Sequence, residues 1–340
     1  MAQMSSSAIG YCRLHLRKVG LLAVCAGGIL ILAYVGVRES IRAELIRMQK
    51  QTGLSLVSIR DNKIYRVDFA VRGAVIAKKI ASRGTVTSGA ISDDGTKIAA
   101  NLCREPGFTH PTPNETACPS GDVFSVMRLD GSDAREYRES LGSGFGYCWS
   151  HDGTKVVLQT QNKLQIFDLA MGSAQTIAGY DAFVDSQCWS RDDKKIVYTA
   201  NNTVYTDKVA VYEVETKTSH DFSRGTRATW SPDGNWIAVM DCPPSLYGCS
   251  YFAVRPSGTE RKLLFKSESA TSLWWSPDSR YVAYVNGAAL WEAAPWHLFE
   301  EMRCLRVRRI EDNSVASFAD FFAGDTMDFQ WVKTSALQHP

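Results

Sequence analysis

Excess charge is nearly absent from this chain. In 340 residues, 38 Lys and Arg stand against 36 Asp and Glu, a formal net charge of +2. So even a balance lacks the basic stripe that phosphate neutralisation needs, which argues against nucleic acid as a partner. Histidine is scarce as well, six in all, with no His-Glu-x-x-His or similar cluster, so neither a zinc site nor any other cofactor is expected. No Gly-x-Ser-x-Gly elbow marks a hydrolase nucleophile, and an enzyme is the less favoured reading. Long apolar runs are missing with one exception. What is present is 25 Gly, 9 Trp, 13 Tyr and 14 Phe among short apolar runs, the composition of many short strands and turns.

The exception is Val19 to Val37, VGLLAVCAGGILILAYVGV, nineteen residues without a charge. As a helix it would cross a hydrocarbon core of about 30 Å. A cleaved signal usually has a shorter apolar region followed by small residues, whereas this run ends Val35-Gly36-Val37-Arg38, so an uncleaved anchor is favoured. A lipoprotein reading through Cys25 lacks the small residue before the cysteine, because Val24 stands there. Arg38, Arg42, Arg47 and Lys50 follow the run and blunt any charge-based orientation. After it, Ile41, Leu45 and Met48 recur at helical spacing and predict a helical stalk over 38–53.

From there the chain repeats itself. The phrases AISDDGTKIAA, CWSHDGTKVVL, CWSRDDKKIVY, TWSPDGNWIAV and WWSPDSRYVAY begin at Ala90, Cys148, Cys188, Thr229 and Trp274, and a truncated FQWVK begins at Phe329. Each reads as a strand end, a Ser-x-Asp-Gly turn and a second strand. Their anchors, Ile91, Trp149, Trp189, Trp230, Trp275 and Trp331, lie 58, 40, 41, 45 and 56 residues apart. Two further strand signals complete each unit, and four strands per 40-odd residues is the arithmetic of a propeller blade. The carboxylates Asp93, Asp94, Asp152, Asp192, Asp233 and Asp278 fall in equivalent turns, where they are expected to cap backbone amides and not to catalyse.

In these phrases the chain resembles the TolB-type, WD-repeat-like β-propellers, over about residues 54–335. Trp230-Ser231-Pro232-Asp233-Gly234 matches the family phrase outright. The other copies depart from it: Asp193 and Ser279 stand where the phrase has Gly, a difference read as neutral for the fold. The resemblance implies an all-β propeller and says little of activity, since propellers host unrelated functions.

Five complete units and one lone innermost strand leave three strands missing. LSLVSIR, KIYRVDFAV and AVIAKKIA, just after the stalk, can supply them. The expectation is an all-β, six-bladed β-propeller closed by N- and C-terminal strands in one blade and preceded by one transmembrane helix. Its segments are a tail over 1–18, the anchor over 19–37, the stalk over 38–53, the propeller over 54–335 and a tail over 336–340. Closure of this kind leaves no open sheet edge.

The longer units owe their length to the loops between second and third strands, all on one face, here called face one. Those loops carry Phe108, His110, Tyr247, Trp291, Trp296, His297 and Phe299, the preferred binding surface, because aromatics in loops on a rigid scaffold suit protein contact. A short helix of Trp291, Trp296 and Phe299 that merely closes over the fifth unit is an equal alternative. Two loops begin and end in cysteine, so Cys103 is expected to pair with Cys118, and Cys242 with Cys249. Cys148 and Cys188 read better as small buried side chains under the tryptophans than as a bridge, and Cys304 has no evident partner. Disulfides require an oxidising compartment. The sequence therefore predicts a single-pass membrane protein with a cytoplasmic N-terminus and an extracytoplasmic propeller, in the periplasm or a lumen. It would serve as a binding scaffold for protein or envelope polymer. The alternative is a ligand-binding or weakly catalytic propeller that uses its central channel on a sugar or small molecule.

Overall fold

A computed structural model describes residues 35–60, 62–69, 73–82, 84–104, 122–140, 146–159, 163–179, 182–200, 208–243, 248–267, 273–287, 303–322 and 329–337. Six sheets make the ring. The first blade is β4 to β7 (Thr85–Ile91, Lys97–Cys103, Asp122–Arg128, Arg135–Ser140), and the second is β8 to β11 (Tyr147–Trp149, Lys155–Gln159, Leu164–Asp168, Ser173–Ala178). The third is β12 to β14 (Lys195–Ala200, Lys208–Glu213, Thr218–Arg224). The fourth is β15 to β18 (Thr226–Trp230, Ile237–Asp241, Cys249–Val254, Arg261–Ser267), and the fifth is β19 to β22 (Leu273–Trp275, Tyr281–Gly287, Arg303–Arg309, Val315–Phe322).

The sixth sheet draws on both ends of the chain. β23 (Gln330–Lys333) is its innermost strand, followed outward by β1 (Leu54–Arg60), β2 (Lys63–Asp68) and β3 (Gly73–Lys79). β1 and β23 are antiparallel with Leu56 opposite Trp331 and Val57 opposite Gln330. The expected closure is therefore what the chain adopts.

Local chemistry explains why the turn phrase recurs. In five blades a Ser hydroxyl, from Ser92, Ser150, Ser190, Ser231 or Ser276, donates to the Asp two residues on at 2.5–2.6 Å. The same Asp accepts the backbone N–H two residues further along, on Thr96, Thr154, Lys194, Asn235 or Arg280. Burial works against the charge of Asp94, Asp152 and Asp233, but these hydrogen bonds outweigh it and hold all three carboxyls below their ordinary range. For Asp192 the Ser190 bond is itself the largest influence, again downward.

The tryptophans knit neighbouring blades. Trp149 Nε1 donates to the Ala90 carbonyl at 2.9 Å, and Trp189 Nε1 to the Cys148 carbonyl at 3.1 Å, each reaching the innermost strand of the preceding blade. Buried aliphatic and aromatic residues fill the seams between sheets, among them Tyr251, Phe265 and Tyr284, stacked at 4.4 and 4.1 Å across the fourth and fifth blades.

Two features depart from expectation. Among the described residues the third blade has three regular strands, and its innermost segment touches β12 at isolated bridges, Phe183 to Thr199 and Trp189 to Ile196. The stalk, moreover, does not stand free. Residues 35–52 form a helix, α1, that buries Ile41, Leu45 and Met48 against Leu56, Val67, Phe69, Trp274, Leu305 and Val307, between the fifth blade and the closing blade. Its Glu44 accepts from Arg309 at 2.6 Å and from the Tyr281 hydroxyl. Among the described residues no helix is long and apolar enough to cross a membrane, and the expected span of 19–37 lies outside them but for its last three residues.

Candidate functional site

The seven aromatic and histidine residues of the face-one loops, Phe108, His110, Tyr247, Trp291, Trp296, His297 and Phe299, all lie outside the described residues. What the structure does give is the base of two loops. Cys242 and Cys249 are bonded, with Cα atoms 4.2 Å apart, at the junction of β16 and β17. Cys103, at the end of β5, is also disulfide-bonded, while Cys118 lies outside the described residues.

Cys148 and Cys188 correct the sequence reading, because they form a disulfide with Cα atoms 5.9 Å apart. They occupy matching positions on the innermost segments of the second and third blades, and inner strands converge toward the axis. Gly146 shows how close this approach is. A Cβ there would lie 2.3 Å from the Val184 carbonyl of the next blade, and its φ of +121° is open only to glycine in practice. Two small side chains meet where larger ones would collide.

The irregular third blade has its own consequence, which is that polar side chains bridge from it across the ring. Gln187 Nε2 donates to the Trp275 carbonyl at 3.2 Å, its Oε1 accepts Trp275 N–H at 2.8 Å, and its carbonyl accepts Trp230 N–H at 2.8 Å. Ser186 Oγ reaches the Phe329 carbonyl of the opposite blade at 3.3 Å. These bonds leave from the stretch of the innermost segment that meets β12 only at isolated bridges.

On face two, the side of the Ser-Asp turns, a cavity of about 360 Å³ remains, lined by Asp93, His151, Gln187, Arg191, Gln330 and Lys333 among others. His151 Nδ1 lies 2.8 Å from Asp193 Oδ1, and its Nε2 4.0 Å from Asp93 Oδ2. Asp193 also accepts the backbone N–H of His151 at 2.9 Å and of Asp152 at 3.0 Å. Although the Asp93 side chain is 52% exposed, desolvation by the protein behind it raises its carboxyl. His151 pulls it back down, and Asp193 and Asp94 push it up again. Asp193 thus orients the imidazole, and Asp93 stands on its far side at ion-pair distance.

Sequence reasoning missed the role of Asp193, whose sequence mark is the departure from Gly and whose partner is distant in the chain. Asp193 stands at the Gly position of the turn with φ +55°, and its side chain projects onto the turn of the preceding blade. Ser279, with φ +57°, does the same two seams on, where its hydroxyl accepts Asp233 N–H at 3.0 Å. The two departures from Gly are inter-blade caps. Of the arginines in β21, Arg309 is committed to Glu44 and Asp312, and Arg308 lies 5.4 Å from the Phe265 ring centre. No group of three or more metal-ligating side chains occurs among the described residues.

No protein-family model matches the chain, and no curated protein matches it. Solved structures do. TolB from Acinetobacter baumannii superimposes with a TM-score of 0.59 at 15% identity, over 82% of this chain and 66% of that one. A putative TolB from Agrobacterium tumefaciens gives 0.54 at 14% identity, over 80% and 91%. A chain of the nidogen/laminin complex gives 0.56 at 10% identity, over 82% and 97%. The chain thus spans about two thirds of the Acinetobacter protein, and what these likenesses show is the fold, a six-bladed β-propeller of the TolB type.

Proposed function

We propose that this protein is a non-catalytic binding scaffold, tethered to a membrane by residues 19–37 with its propeller outside the cytoplasm, and that it holds a protein or envelope polymer through its face-one loops. The observation that carries the reading is the bracing of the ring. A disulfide joins the second and third blades, another clamps the base of a face-one loop, and Gln187 ties the third blade to the fourth and fifth. Such a body presents loops rigidly, as a docking platform needs. Disulfides in a chain of this kind suit an oxidising compartment, and the binding partner would meet the face opposite α1. The solved structure of the nidogen/laminin complex lends support by analogy, since it contains a propeller in a complex with another protein.

A chemical cross-linking pull-down on the full chain tests this, with Trp291→Ala and Trp296→Ala together as the variant. Loss of the recovered partner supports the face-one surface; undiminished recovery removes it. The second reading, a ligand in the central cavity, draws on the convergence of His151 and Asp93 at the face-two pit. It predicts that His151→Ala alters binding of a small sugar acid while leaving partner recovery unchanged.

A further inference from the structure

We propose that the groove on face two between the first and second blades is a second docking surface, built to receive an acidic amphipathic helix from another polypeptide. The precedent lies in the chain itself. On the same face, the groove between the fifth blade and the closing blade takes α1, whose Ile41, Leu45 and Met48 enter an apolar trough while Glu44 meets Arg309 and Tyr281. Strand register maps one groove onto the other. Tyr281 faces Arg309 in the fifth blade as Lys97 faces Arg128 in the first, and Ala283 faces Val307 as Ala99 faces Val126. Across the seam, Leu169 follows β10 where Phe69 follows β2. Each arginine also pairs with an aspartate of the following turn, Arg309 with Asp312 at 2.8 Å and Arg128 with Asp133 at 3.5 Å.

Charge distinguishes this groove from its neighbours. At the same register pair, the second blade sets Lys155 4.0 Å from Asp168 and the third sets Lys195 2.8 Å from Glu213, so both cancel internally. The fourth stacks Arg255 over Trp236 at 3.8 Å and pairs it with Glu260. The first, fourth and fifth blades place a cation there without an acid from the facing strand, but the fourth covers Arg255 with Trp236 and the fifth receives Glu44 from α1. In the first blade Lys97, Arg128 and the exposed Arg135 outnumber Asp133 around the groove. Lys97 has the Gly153 carbonyl at 3.5 Å, and the nearby Asp94 is engaged by Ser92 and Thr96. The floor is Val126 and Met127 with Tyr137 and Leu169 beside them, and the open volume is about 590 Å³. An apolar trough rimmed by more cations than acids complements a helix with apolar residues four and seven apart and a carboxylate between them. The chain's own α1 does not fill it, because its apolar side is spent in the other groove, and the same holds for α1 of a second copy.

The proposal goes beyond the face-one reading and does not depend on it. Its test is a fluorescence-anisotropy titration of the full chain with a labelled, capped peptide copying residues 38–52 but carrying Arg38→Gln, Arg42→Gln, Arg47→Gln and Lys50→Gln, which is net acidic and supplies Ile, Glu, Leu and Met at the needed spacing. Saturable one-to-one binding is expected. It should weaken at least tenfold when the peptide's glutamate at the place of Glu44 becomes lysine, or when the protein carries Arg128→Glu, and recover when both changes are combined. Arg128 is a surface residue, so unchanged thermal unfolding of the variant confirms that the ring is intact. Equal affinity for the parent peptide and its glutamate-to-lysine variant, or indifference to Arg128→Glu, overturns the proposal. So does a dimer in sedimentation that Arg128→Glu dissolves, since the occupant would then be a second copy.

Discussion

The smallest unit of this architecture is a carboxylate shared with a serine and a backbone amide. Because Asp94, Asp152, Asp192 and Asp233 are held below their ordinary range in the folded chain, their stabilising contribution is full above the unfolded carboxylate range and is lost as pH falls through the lowered values. Asp312, held at about 2 by Ser314 and then Arg309, extends that window downward. Thermal unfolding followed from pH 7 to pH 2 should show a flat plateau, then a decline beginning below about pH 4. A decline on raising pH from 5 to 7 would mean that other groups dominate. At the same scale, Asp193→Ala removes three hydrogen bonds across the second seam while leaving a Cβ at positive φ, and should cost about 2–3 kcal/mol in urea denaturation. Asp193→Gly should cost about 1 kcal/mol less, because glycine relaxes the left-handed backbone. The Ser-Asp turns could be read in the sequence because their bonds are local, two and five residues apart. The caps of Asp193 and Ser279 could not, because their partners lie about 40 residues away in the preceding blade, so a departure from the repeat looked neutral when it was a contact.

Elements show the same division between local and distant causes. The helical spacing of Ile41, Leu45 and Met48 is enough to predict α1. Whether its apolar side is a stalk's stripe or a docked face is decided by what lies opposite, and Phe69, Trp274 and Leu305 come from three separate strands and turns. Docking makes α1 part of the core. Leu45→Ala, at a site with 0% exposure, should lower stability by about 2–4 kcal/mol, read as a shift of the urea midpoint, whereas a free stalk would tolerate it within about 0.5 kcal/mol. The innermost segment of the third blade is the converse case. Its phrase CWSRDDKKIVY reads as a strand like the others, but Ser186 and Gln187 just before it bond across the ring to Phe329 and Trp275. Their side chains serve the axis where the ladder is interrupted.

At the scale of the whole ring, blade number and closure were legible because each blade repeats a short phrase and the strand count at the two ends is complementary. The Cys148–Cys188 bond was not, because strand spacing near the axis depends on how tightly all six blades close. That bond fastens the second blade to the third across a loop of about 40 residues, for which chain entropy gives an upper estimate of about 4 kcal/mol. The paired change Cys148→Ser with Cys188→Ser should therefore lower the midpoint of unfolding substantially more than the paired change at Cys242 and Cys249, whose loop spans seven residues. Similar losses from the two would point to strain or packing in place of chain entropy.

Ring closure by β1 and β23 underlies every assignment of sidedness, and hydrogen exchange read by mass spectrometry examines it without intermediaries. In the intact chain, amides of Leu54–Val57 and Gln330–Lys333 should exchange together, at the slow rate of the blade core. Ending the chain before Phe329 should then release β1, β2 and α1 to fast exchange. If β1 keeps its protection in the shortened chain, the two termini do not share a sheet and the ring is held shut some other way.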